Sequence, residues 1–133
     1  MKIKTSELTG PALDWAVAKC EGEVTEFGSD GITFGFKLNG ELKVFAKGWA
    51  ASMCWSPSTD WSQGGPIIER EKLCIGARHT NDVIHWDDDV LYWARTTTGG
   101  HLKYGPTHLI AAMRCYVASK LGDEVDVPDE LTK

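Results

Sequence analysis

Between Thr107 and Gly122 lies a segment whose apolar residues run almost all the way round a helix. Leu109, Ala112, Met113, Tyr116 and Val117 recur at helical spacing and form one stripe. Ile110, Ala111, Cys115, Ala118 and Leu121 fill most of what remains, and only Arg114 interrupts the side away from the stripe. A helix apolar nearly all round is buried on two sides. The segment therefore demands cover on both flanks and excludes folds that leave it on the surface. Thr107, after Gly105-Pro106, supplies an N-cap, and Gly122 supplies the stop.

An earlier helix begins after Thr9, another N-cap residue, with Pro11 tolerated in its first turn. Leu8 and Leu13 are placed to form a hydrophobic staple. Leu13, Ala16, Val17 and Cys20 make its apolar stripe, and Gly22 ends it. Trp15 falls on the opposite face and needs a second surface or solvent. Two hairpins are expected between the helices. In the first, Ile32, Phe34 and Phe36 alternate with Thr33, Gly35 and Lys37, and beyond Asn39-Gly40 Leu42, Val44 and Ala46 alternate with Glu41, Lys43 and Phe45. A three-residue Leu38-Asn39-Gly40 loop sets Phe36 opposite Leu42 and Phe34 opposite Val44, with Gly40 in the left-handed position of a bulge. A two-residue Asn-Gly loop would set Phe36 opposite Lys43, so the pattern favours the bulged turn. Leu73 to Arg78, Val83 to Trp86 and Val90 to Thr96 read as strands, with Asp87-Asp88-Asp89 as the turn of the second hairpin. That hairpin is apolar on both faces. The expected class is α+β: a twisted antiparallel sheet with two packed helices, N-terminal and C-terminal, in a single domain over residues 1–133. Residues 123–133 are expected as an acidic extended tail. The all-round apolar helix and the two-faced hairpin together point to a homo-oligomer, a dimer first.

The length of 133 residues is enough to bury a core without disulfides. Cys20, Cys54, Cys74 and Cys115 form no CxxC pair and read as buried reduced thiols. A net charge of −5 argues against a sequence-neutral binder of nucleic-acid polymers, which needs basic stripes. No run is apolar for long enough to span a membrane, and the polar start is no signal peptide. His79 and His85 beside the aspartate triplet match neither a helical zinc pair nor a calcium loop, so no metal is expected. No nucleophile elbow or Cys-His pairing is present, and no catalytic residue or cofactor is assigned.

The candidate site lies in Trp55 to Glu69, where two indoles, Ser58-Thr59-Asp60 and Gly64-Gly65-Pro66 stand close together. Hydroxyls, a carboxylate, flat rings and bare backbone amides are the chemistry of a binding surface. Gly64-Gly65 lacks the spacing of a P-loop or dinucleotide fingerprint and is also simply a turn signal. Ser58, Thr59 and Asp60 are also good helix caps. Six tryptophans are more than one small core readily hides, and an exposed indole suits base stacking. In the ligand reading Trp55 and Trp61 supply the rings, with Trp61 stacking on a base. Ser58, Thr59 and Asp60 bond sugar or base edges. The amides of Gly64 and Gly65, with Arg114, meet phosphate.

Three blocks carry a family resemblance. They are Lys4 to Gly22, Ser56-Pro-Ser-Thr-Asp-Trp-Ser-Gln-Gly-Gly-Pro-Ile-Ile-Glu69, and Leu109 to Pro128. In this order they resemble the NinX-type bacteriophage proteins. The resemblance implies a small accessory protein of tailed phages, acting in the cytoplasm of the infected bacterium, and brings no catalytic residues with it. By analogy of setting, the expected function is non-catalytic counter-defence: sequestering a small nucleotide-like signal. The alternatives are an inhibitor of a host protein and, third, a nucleotide-modifying enzyme.

Overall fold

The computed structural model describes residues 2–21, 55–78, 91–97 and 100–127 with their side chains, and 25–26, 34–38 and 41–44 as backbone. Strand β1 (Lys2–Lys4) runs through a short 3-10 turn into helix α1 (Gly10–Glu21). Strands β2 (Thr25–Glu26), β3 (Phe34–Leu38) and β4 (Glu41–Val44) follow, then helix α2 (Trp61–Glu71). Strands β5 (Leu73–Ala77), β6 (Tyr92–Thr96) and β7 (Leu102–Gly105) lead into helix α3 (His108–Leu121) and strand β8 (Glu124–Asp126). The class is α+β, with helices packed on antiparallel strands. Among the described residues the strands form three separate sheets, β1-β8, β2-β3-β4 and β5-β6-β7, instead of one. A third helix, α2, joins the two expected.

Helix α3 is the hub. Every residue from Ala111 to Ala118 is buried. Sheet β5-β6-β7 packs against it, as do α1 and α2. Gly105 marks how closely: a Cβ there would stand 2.7 Å from the Ala111 nitrogen. The Thr107 hydroxyl accepts the Ile110 N–H at 3.1 Å, and Gly122 ends the helix at φ 92°. The cover that this helix demands thus comes from its own chain, which removes the reason it offered for a second copy.

In α1, Leu13, Ala16 and Val17 are fully buried, and Leu13 N–H donates to the Thr9 carbonyl at the expected start. Trp15 finds its second surface: it is 7% exposed, with the Lys19 ammonium 5.3 Å from its ring centroid. The carboxyl-terminal ends of α1 and α2 meet α3 through ion pairs. Arg70 grips Glu21 with two nitrogens, Tyr116 donates to the same carboxylate at 2.9 Å, and Lys120 reaches Glu71 at 3.2 Å.

The first hairpin departs from expectation. Leu38 stands opposite Glu41 and Phe36 opposite Lys43, leaving only Asn39-Gly40 between the strands. The two-residue loop sets the register, since Asn-Gly matches the twist of paired strands better than a longer loop does. Backbone turn chemistry here outweighs like-with-like side-chain pairing. The expected conformation of Gly40, the Asp87-Asp88-Asp89 turn, His79 and His85 lie outside the described residues. Strand β7 was not anticipated; it flanks β6 on the side away from β5, and the expected strand from Val83 to Trp86 lies outside the described residues. After α3 the chain docks as β8: Val125 faces Ile3 across the β1-β8 pair, and Val127 is 1% exposed, while the rest of the expected acidic tail, from residue 128, lies outside the described residues.

Candidate functional site

The stretch from Trp55 to Glu69 is a tight turn feeding a helix. Ser56 carbonyl accepts the Thr59 and Asp60 N–H groups at 3.1 and 2.9 Å. Asp60 is the N-cap of α2: its Oδ1 accepts from the Ser62 N–H at 2.9 Å and from the Ser62 hydroxyl at 2.6 Å. Gln63 reaches back, its Oε1 accepting the Ser56 N–H at 2.6 Å. The Gly64-Gly65-Pro66 run continues the helix where a turn was expected. Pro66 lacks the N–H that would bond to the Ser62 carbonyl, but Ser62 is exposed and water can take that place.

Two bonds lock this turn to α1. The Trp55 indole N–H donates to the Asp14 carbonyl at 3.0 Å, and the Ser58 N–H donates to Asp14 Oδ1 at 2.9 Å. Burial pushes the Asp14 carboxyl up to about 6, against the opposing pull of the Ser58 amide. The Ser58 hydroxyl is buried beside the same carboxyl.

The expected site residues therefore divide. Trp55 and Ser58 are buried and hold the turn to α1. Gly64 is buried, and a Cβ there would lie 2.4 Å from the Pro57 carbonyl oxygen and 2.7 Å from Leu109 Cδ2. Arg114 is 2% exposed and donates to the main-chain carbonyls of Leu8 at 2.7 Å and Tyr104 at 2.8 Å. Its guanidinium is engaged in joining α3 to β7 and to the chain before α1. On the outside remain Thr59, which is exposed, the capping Asp60, the half-buried Gly65, and Trp61.

Trp61 is 53% exposed, more than any other large hydrophobic residue among the described residues, although it opens a helix. Its inner edge leans on His108, with ring centroids 6.5 Å apart at 56°. His108 in turn packs on Tyr92 at 4.3 Å and 51°. The first residues of α2 and α3 thus meet in an aromatic row whose outer end is the Trp61 indole. A Cβ on Gly65 would reach only to 3.9 Å from Trp61 Cε3, so the ring lies against a bare stretch of its own helix. His108 and Tyr92 gave no signal in the sequence, because their meeting with Trp61 depends on how α2, α3 and β6 pack. Among the described residues no group of three or more His, Cys, Asp or Glu could hold a metal ion.

The family described as bacteriophage P22 NinX has a model that matches residues 4–120. The chain belongs to the NinX family. The match runs from the last residue of β1 to the penultimate residue of α3 and takes in α1, α2 and both three-stranded sheets, so the resemblance read from the three sequence blocks extends through the segments between them. No curated protein matches the chain. No helix among the described residues is long and apolar enough to cross a membrane.

Proposed function

We propose that this NinX-family phage protein is a non-catalytic accessory protein that binds a small nucleotide-like ligand at the Trp61 end of α2, and thereby acts against host defence in the infected cytoplasm. One observation supports this above the others: a half-exposed indole held at a fixed angle by a second aromatic ring. Large aromatic side chains that stay in water while their inner edge is packed are suited to stacking, and a base–aromatic stack is worth about 1–3 kcal/mol. The Thr59 hydroxyl stands two residues away, within the same turn, for a sugar or base edge. Trp55, Ser58, Gly64 and Arg114 build the support for this surface and do not themselves touch the ligand in this reading.

The exposed Trp61 also fits a protein interface, where buried tryptophans are frequent anchors. Mass spectrometry separates the two. Protein purified from infected cells is heat-denatured and the released small molecules are identified. An intact nucleotide recovered from wild type, and lost in Trp61→Ala with unchanged melting, supports the proposal. A chemically altered nucleotide would mean catalysis. A host polypeptide retained by wild type in place of a small molecule would move the function to protein inhibition.

A further inference from the structure

Sheet β5-β6-β7 has two faces, and α3 covers one of them. Register and packing agree on which. Gly105 is pressed against Ala111, Ala94 is fully buried, and Tyr92, opposite Gly105, touches His108; all three belong to the helix side. Side chains alternate along a strand, so Trp93, Arg95, Leu102 and Tyr104 belong to the other face. On that face Gly76, Trp93 and Tyr104 stand in one row across the three strands, and Cys74, Arg95 and Leu102 in the next.

The chemistry of this face differs from that of the chain as a whole. The chain carries a net charge of −5, yet β5, β6 and β7 contain no Asp or Glu. The cations there sit by rings: Arg95 lies 5.9 Å from the Trp93 ring centroid, and Arg78, just past β5, lies 5.1 Å from that of Tyr104. Leu102 is 49% exposed beside Arg95. Gly76 fixes the indole: a Cβ at that position would stand 2.5–2.9 Å from three atoms of Trp93. A side chain at position 76 would push the ring away, so the bare glycine lets the indole lie flat across β5.

We infer that this outer sheet face binds a short single-stranded oligonucleotide, with Trp93 and Tyr104 stacking on bases and Arg95 and Arg78 meeting the phosphates. Two rings on adjacent strands, each with a guanidinium beside it, match the alternation of flat base and anionic phosphate along a single strand. An acidic peptide would use the arginines but leave the ring pair without a flat partner. The expectation drawn from net charge concerned polymers held along a basic stripe; here stacking carries most of the affinity and the charge is local. This surface is distinct from Trp61, and the inference does not rest on the proposed function.

Fluorescence polarisation of a fluorescein-labelled oligothymidylate, titrated with the full chain at low salt, tests the inference. Saturable binding is expected, weakened by about ten-fold or more in Trp93→Leu and in Arg95→Glu. Arg95 is exposed, so its variant should melt like wild type and decides the matter if Trp93→Leu fails to fold. Gly76→Ala, which displaces the indole and removes no ring, should weaken binding in the same direction. Trp61→Ala should leave it unchanged. Absence of saturable binding, equal affinity in Arg95→Glu, loss of binding in Trp61→Ala, or displacement by polyglutamate as effective as by unlabelled oligothymidylate would each overturn the inference.

Discussion

The Ser58 backbone N–H donates to the Asp14 carboxylate at 2.9 Å, joining residues far apart in the chain inside the protein. With the Trp55 indole bonded to the Asp14 carbonyl, this places the start of α2 against α1 and so fixes where Trp61 emerges. The carboxylate at the centre of the joint sits where burial disfavours its charge, with a pKa raised from 3.8 to about 6.

That shift predicts a specific pH dependence. Folded protein binds the Asp14 proton more tightly than unfolded protein does. The folded state therefore holds more protons between about pH 4 and 6, and stability falls as pH rises through that window. The loss from this group is about 2–3 kcal/mol and is complete above the folded pKa. Asp14→Asn keeps an oxygen for the Ser58 N–H and carries no charge. Denaturant melts of both proteins from pH 4 to 8 should show the variant gaining on wild type as pH rises. A difference that stays flat across that range would show that the carboxyl titrates normally.

The adjacent glycines of α2 should respond in opposite directions. Gly64→Ala forces a methyl group into the Pro57 carbonyl and Leu109, and overpacking of this kind costs about 1–3 kcal/mol. Gly65→Ala makes only an ordinary contact with the Trp61 ring at 3.9 Å and gains helix propensity, so it should stabilise by about 0.5–1 kcal/mol. Thermal melting of the pair reads the sign directly. Two shifts of the same sign would contradict the packing of α2 on α3.

Cys20 and Cys115 should resist alkylation in the native protein. Burial, reinforced by the Glu21 charge, pushes the Cys20 thiol up to about 12, and burial pushes Cys115 up to about 11. Both thiols are free, and almost no thiolate exists at pH 8 to attack iodoacetamide. Mass-spectrometric mapping should find these two positions modified far more slowly than after unfolding in urea. Equal rates in native and unfolded protein would show that they are accessible as thiolates.

Local chemistry determined much of this protein. Thr107 and Gly122 bound α3 where their capping chemistry places them, and the all-round apolar pattern made that helix central. The apolar stripe of α1 and the strand after Lys72 were legible for the same reason: short-range periodicity and caps depend on neighbours in the chain. The NinX resemblance was legible because its blocks are contiguous. Tertiary structure decided the rest. Gly64-Gly65-Pro66 has the composition of a turn, yet it is helical, because α2 must press so closely on Pro57 and Leu109 that only a glycine fits. The same packing sorted the candidate site. It drew Trp55, Ser58, Gly64 and Arg114 inward as supports and left Trp61 outside. No local pattern distinguishes Trp55 from Trp61, since the two flank the same Ser56-Pro-Ser-Thr-Asp60 run and differ in what folds against them. Strand β7 pairs with β6 as a short local hairpin closed at Thr96 and His101, but its four residues are too few to signal a strand, and which face α3 closes over is a choice only tertiary packing makes. That closure leaves Trp93 and Tyr104 together on the other.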